Sequence, residues 1–297
     1  MKIVSPFVGL IATLSLLVVS ATASASSEKE MTTKSVFTTP TSWLGLKPNR
    51  FGGSYFGWFF MNGEAFNRGN PDDSFSIQNF GLTYKTESNT TWGLWYASTL
   101  AWDEKGQSNH ETANPYIEVN KFGMAKIFGD VTVSAMAQLY VPVTEEWREN
   151  GTTEVFGFAW LNKPLSKHWE LEYHANPRYS HHKRWRTTKV NDSGETEVHG
   201  LPGFLYLQEL KARYIATQNL KVFQLLGLQT EWRHRGAHSD AFKEMLEIET
   251  GVEWLANKHL WLQASIRQNI VSQPYFRDFN LYPEDQTEYQ LRLLANM

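Results

Sequence analysis

Phe204–Ala216 reads FLYLQELKARYIA and alternates along its whole length. Phe204, Tyr206, Leu210, Ala212 and Tyr214 share one face, with Gln208 the one polar interruption. Leu205, Leu207, Glu209, Lys211 and Arg213 share the other. Side chains with period two belong to a β-strand. The segment is longer than the ~5–6 residues usual in a soluble sandwich and long enough to cross hydrocarbon at a tilt, which takes about 9–11 residues. Three charges on one face do not suit a dry sandwich core. The apolar face therefore turns to lipid, and the charged face turns to an interior that is wet, ion-paired or both.

Neighbouring segments repeat the pattern. Leu220, Val222, Leu226, Leu228 and Trp232 oppose Gln229, Glu231 and Arg233. Leu246, Ile248, Val252 and Trp254 oppose Glu247, Glu249 and Glu253, and Leu260, Leu262, Ala264, Ile266 and Ile270 oppose Gln263, Arg267 and Asn269. Trp169, Leu171, Tyr173 and Ala175 oppose Glu170, Glu172, His174 and Asn176. Trp92, Leu94, Tyr96, Leu100 and Trp102 alternate with smaller residues. The stretch Ile117–Ile127 changes phase near Asn120, which predicts a bulge. Residues 51–61 and 74–85 are rich in aromatics but irregular, and Gln224 and Gln268 also fall on apolar faces.

Connections alternate in length. Short ones fall at Glu87–Thr90, Phe128–Asp130, Asn162–Lys167, Thr217–Asn219 and Ala256–Lys258, and longer polar ones at 62–73, 103–112, 142–152, 179–202, 234–241 and 272–285. The expected fold is all-β: an antiparallel up-and-down transmembrane β-barrel of about twelve strands over 51–297, with both termini on the short-turn side. A symmetric turn at Ala256–Lys258 would set Glu247 opposite Arg267.

Composition agrees. The chain is polar on average, yet it carries 12 Trp, 12 Tyr and 18 Phe. A barrel needs that combination, with an apolar outer wall, a polar lumen and aromatic girdles. A net charge of −3 shows no basic excess for nucleic acid, and the absence of cysteine removes disulfide scaffolds and thiol chemistry. Lys2, the apolar run Val8–Val19 and Ala23-Ser24-Ala25 form the three parts of a secretory signal over 1–25. Residues 26–50, rich in Ser, Thr and Pro, read as a flexible periplasmic lead-in.

Three short turns, at Leu165–Leu171, Ile215–Val222 and Leu255–Leu262, share a small or polar turn followed by an alternating strand. They resemble the periplasmic turns of bacterial outer-membrane β-barrels. Tyr289, Leu291, Leu293, Ala295 and Met297 alternate to the last residue, similar to the terminal-strand signal read by the barrel-assembly machinery. That signal usually ends in an aromatic residue, so Met297 departs from it. The resemblance is to a small porin-like architecture and implies a Gram-negative outer-membrane location after export, contact with outer-membrane lipid and lipopolysaccharide, and a monomer.

The expected lumen-lining residues are Glu170, Glu172, His174, Arg178, Glu209, Lys211, Arg213, Glu231, Arg233, Glu247, Glu249, Glu253, Arg267, Glu288 and Arg292. Charged walls suit a water-filled pore for passive diffusion of small hydrophilic solutes, with the basic members favouring anions. A salt-bridged plug of side chains is the other arrangement they permit. The cluster His181, His182, Lys183, Arg184 and Arg186 in the 179–202 loop could meet lipopolysaccharide phosphates or anions at the mouth. A barrel-type lipid hydrolase or protease is the enzymatic alternative. Its candidates are Ser180-His181 and His238-Ser239-Asp240, but residues adjacent in an extended chain point apart. A structural or adhesive envelope protein is a third reading. No close-spaced ligand set predicts a metal, and no motif implies a cofactor.

Overall fold

The computed structural model describes residues 50–63, 74–102, 108–190, 194–234, 242–271 and 287–296. The signal at 1–25, nearly all of the lead-in at 26–50, and the long connections 234–241 and 272–285 lie almost wholly outside those residues.

The long alternating segments are strands: β1 (Phe51–Asn62), β2 (Phe75–Lys85), β3 (Thr90–Trp102), β4 (Ser108–Thr112), β5 (Tyr116–Ile127), β6 (Val131–Tyr140), β7 (Thr153–Pro164) and β8 (Trp169–His181). After them come β9 (Arg186–Val190), β10 (Thr196–Gly200), β11 (Pro202–Ile215), β12 (Leu220–Arg233), β13 (Phe242–Asn257), β14 (Leu260–Val271) and β15 (Thr287–Asn296). A short helix, α1 (Glu145–Asn150), is capped by Thr144 and by Gly151 in the left-handed conformation. Every pairing is antiparallel. β1 pairs β15, running from Ser54↔Asn296 to Asn62↔Glu288, and this seam closes the sheet into a twelve-stranded barrel. Closure leaves no sheet edge, which hydrocarbon would not tolerate.

Outward residues match the lipid-facing reading. Leu226 is 42% exposed and Leu94 59%, with Leu82, Val252, Ile266 and Leu291 also exposed. Trp92, Trp169, Tyr214 and Trp254 ring the short-turn end, and Tyr179, Trp232 and Phe242 the long-loop end. These are the positions of interfacial girdles. The polar residues on this face are paired there: Gln208 accepts from Tyr173 Oη at 2.9 Å, and Gln224 accepts from Thr250 Oγ1 at 2.6 Å. Leu228, in register with Leu246 on this face, is nonetheless buried, in a cluster with Leu207, Phe158 and Trp160.

Several sequence expectations need correction. The connection at 103–112 contains β4, which pairs with Ser98–Trp102, while β5 pairs with Thr90–Trp95, so β3 serves two partners in succession. The 179–202 connection holds the β9–β10 hairpin, which pairs only with itself. The irregularity in β5 lies between Lys121 and Ala125, past Asn120, where Gly123 takes φ +58°. The β13–β14 turn is tighter than a symmetric three-residue loop: Asn257 pairs with Leu260, and a register shift falls between Leu255 and Asn257. Arg267 therefore stands opposite Glu249, and Glu247 opposite Asn269.

Candidate functional site

The inward residues form two zones. On β1 to β7 the wall is largely aromatic. Phe56, Trp58, Phe60, Trp95 and Tyr116 are buried in one cluster, and Met136, Phe158 and Trp160 in a second. Trp95 stacks on Tyr116 at 5.8 Å between centroids, Tyr116 on Tyr140 at 4.9 Å, and Phe158 on Trp160 at 5.8 Å. This wall was not legible in the irregular 51–61 stretch. There, Tyr55 and Phe59 on the outer face alternate with Phe56, Trp58 and Phe60 on the inner, so polarity carries no period.

On β8 and β11 to β15 the wall is ionic. Arg213 Nη2 donates to Glu172 Oε1 at 2.7 Å, and its Nε donates to Glu253 Oε2 at 3.0 Å. Arg213 Nη1 lies 3.4 Å from Glu170. Lys211 also donates to Glu253, with its ammonium 3.8 Å from the centre of the Phe223 ring. Arg292 Nη2 meets Glu249 at 3.3 Å, and its guanidinium lies 4.5 Å over Trp58. Arg267 Nη2 donates to Glu247 at 3.2 Å, so the expected ion pair forms as a diagonal contact rather than between opposed residues. His174 holds a carboxylate on each ring nitrogen, Glu172 Oε1 at 2.6 Å and Glu209 Oε2 at 2.7 Å.

The centre of this network is out of contact with water: Glu209 and Glu249 are 0% exposed, and Lys211, Arg213, Glu247 and Arg292 are buried with them. Each barrel strand contributes at least one such inward residue, including Trp58, Asn79, Trp95, Glu118, Met136, Trp160, His174, Leu225 and Gln263. The turn-proximal part of the lumen is thus filled by ion-paired side chains, the plug arrangement rather than an open wall. The other expected lining residues lie nearer the rims. Arg178 pairs with Glu154, Arg233 with Glu231, Glu170 with Lys221, and Glu288 with Arg267.

Toward the long-loop end the lumen opens into a chamber of about 430 Å³. Its lining includes Tyr116, Tyr140, Phe156, Phe158, Trp147 of α1, and the arginines Arg178 and Arg267. Asn114 fixes this rim, accepting from the backbone N–H groups of Val143 and Thr144 at 2.9 and 3.0 Å. Asn79 and Gln229 face the chamber with no hydrogen bond to described side chains. Glu118 is buried on β5, bonded by the amides of Asn120 and Gln138 with no cation in contact.

Of the basic loop, His181, Lys183, Arg184 and Arg186 are exposed, beside Trp185 at 60% exposure. His182 is not free: it is buried, with Nδ1 against Thr152 Oγ1 at 2.8 Å and Nε2 against the Pro202 carbonyl at 2.7 Å. His234 stacks on Trp185 at 4.9 Å, where burial, and secondarily His182, holds its pKa below the usual imidazole value. Ser180 Oγ donates to Glu154 and does not engage His181. His238, Ser239 and Asp240 lie outside the described residues. No group of three or more His, Asp or Glu placed to hold a metal ion occurs among the described residues.

Closure, the apolar outer wall and the girdles define the class: a closed, twelve-stranded antiparallel β-barrel with the architecture of the outer-membrane porins. The chain resembles an outer-membrane channel from Pseudomonas putida F1 at a TM-score of 0.55 and 11% identity, over 83% of this chain and 95% of that one. Weaker likenesses are to the NanC porin (TM-score 0.44, 9% identity, 82% of this chain and 98% of that one) and to the β domain of the Bordetella autotransporter BrkA (0.42, 13%, 83% and 99%). At such identities the likeness concerns the fold alone. No protein-family model and no curated protein matches the sequence.

Proposed function

We propose that this barrel is an outer-membrane channel for small polar solutes, entered through the chamber at the long-loop end and held closed beneath it by the ionic network. The carrying observation is a solvent-accessible chamber directly above a lumen filled with buried, largely ion-paired charges. Apolar packing of the same volume would generally be at least as stable as buried ion pairs. Ion pairs, unlike apolar packing, can be rehydrated and parted, as passage requires. The chamber has the volume of a small-molecule site. Its aromatic wall and the free amides of Asn79 and Gln229 suit a ring-bearing polar solute. Because Arg178 and Arg267 are already paired with glutamates, the chamber favours neutral solutes over the anions suggested by the basic residues alone.

The wider setting is part of the same proposal. Residues 1–25 direct export, and the barrel resides in the outer membrane as a monomer. His181, Lys183, Arg184 and Arg186 meet lipopolysaccharide phosphates there. The test is conductance of the refolded, purified chain in planar bilayers. Brief discrete steps are expected, becoming longer-lived in Arg213→Ala and Arg267→Ala. Silence in the parent chain and both variants overturns the channel. Hydrolysis of phospholipid or lipid A in the same preparation would then favour the enzymatic alternative.

A further inference from the structure

We infer that Glu172, His174 and Glu209 form a proton-binding site whose occupancy keeps the lumen closed. The inference adds to the channel reading and rests on it only for its conductance readout.

Hydrogen-bond chemistry carries the first step. A neutral imidazole has one N–H donor and one bare nitrogen. His174 has a carboxylate oxygen at 2.6 Å from Nε2 and another at 2.7 Å from Nδ1. A bare nitrogen facing an ionised carboxylate would set two lone pairs against each other. The geometry is satisfied only when the triad holds a second proton, either as imidazolium between two carboxylates or as neutral imidazole with one protonated glutamate.

The ionic surroundings carry the second step. Of the five carboxylates in the core of the network, Glu172 touches Arg213, Glu253 touches Lys211 and Arg213, Glu247 touches Arg267, and Glu249 touches Arg292. Glu209 has His174 as its one ionic contact, and its Oε1 has no hydrogen-bond partner. Five carboxylates against four permanent cations leave one negative charge, and the extra proton neutralises it. The pair Glu170–Lys221 and the half-exposed Glu288 lie at the rims, outside this core. The charged groups around His174 are Glu172 from its own strand and Glu209, Lys211 and Arg213 from β11. From β7 it meets the Trp160 ring at 6.2 Å.

The sign follows. The closed lumen needs one proton more than a hydrated, open lumen, in which water satisfies the bare ring nitrogen of His174 and the carboxylates beside it. Closure is therefore favoured at low pH and lost as pH rises. An unpaired charge in so dry an interior is strongly unfavourable, which couples proton loss to opening.

The test measures open probability in planar bilayers between about pH 5 and about pH 9, together with NMR of the imidazole nitrogens. The parent chain is expected to open at least tenfold more often at the alkaline end. Glu209→Gln removes the uncompensated carboxylate and leaves an amide that donates to Nδ1, so it should stay closed throughout. His174→Gln cannot hold the proton and should open at every pH. Glu118→Gln removes the other inward carboxylate lacking a cation and should leave the pH response intact. A pH-independent parent, or Glu209→Gln retaining the response, overturns the proposal. So do nitrogen shifts of a neutral His174 in Glu209-containing protein when carboxyl infrared bands show no protonated glutamate. A proton held by the triad in a barrel that never conducts would instead overturn the channel and leave the proton site standing.

Discussion

Arg213 shows how much depends on one side chain. It is buried among Glu170, Glu172 and Glu253, and truncating it takes from Glu172 its one arginine or lysine contact and leaves Glu253 with Lys211 alone. Arg213→Met should lower barrel stability by about 3–5 kcal/mol, read as an earlier urea midpoint in lipid vesicles. A midpoint unchanged from the parent would mean that the lumen hydrates freely around it. Gly251 makes a different demand. A Cβ there would lie 2.5 Å from the Ala264 carbonyl oxygen and 2.8 Å from the Phe223 ring, so backbone as well as side chain would have to move. Gly251→Ala should cost about 1–3 kcal/mol in the same measurement, whereas at Gly129 the space is open and an alanine would be opposed only by the backbone, at φ +84°. Which residues point inward was legible for the charged strands because polarity there has a clean period of two. Which charges meet was not. Partnership depends on turn register and side-chain reach: a register two residues away from that of a symmetric turn re-paired Arg267 with Glu249, while its long side chain preserved the contact with Glu247.

At the scale of elements, the two faces of one strand have different tolerances. Leu226→Arg on β12 places a cation in hydrocarbon and should cost about 2–4 kcal/mol near the midplane, less toward either girdle. Refolding yield into vesicles, scored by the compact gel band of an unheated barrel, would show it. Normal yield would place Leu226 away from lipid. The β9–β10 hairpin is separable by its pairing, because its five residue pairs join it only to itself. Deleting 186–200 should leave that compact band intact, and its loss would mean the hairpin contributes to barrel closure. The long, charged strands declared themselves in sequence, but the hairpin and β4 did not. Their strands are only five residues long, too short for a period to show, and β4 is exposed throughout, with no buried face to imprint a pattern.

For the whole molecule, closure was foreseeable from twelve segments with apolar outer faces, since an open edge has no place in lipid. The state of the lumen was not. The same inward charges line a wide pore or lock a narrow one, and only side-chain packing decides. Removing β15 (Thr287–Asn296) should abolish folding altogether, since it unpairs both β1 and β14. A stable eleven-stranded form resistant to protease would contradict this.

Among the described residues, the salt bridges of the filled lumen all join β8 or β11–β15 to one another, and none spans the β1–β15 seam. The aromatic contacts dominate the remaining arc, and the seam itself is bridged on the inside by Trp58 against Gln290 and Arg292. During insertion, then, the C-terminal hairpins can neutralise their own charges before the cylinder is complete. Half the wall can enter the bilayer already electrically quiet, and the N-terminal half needs only to zip alongside it.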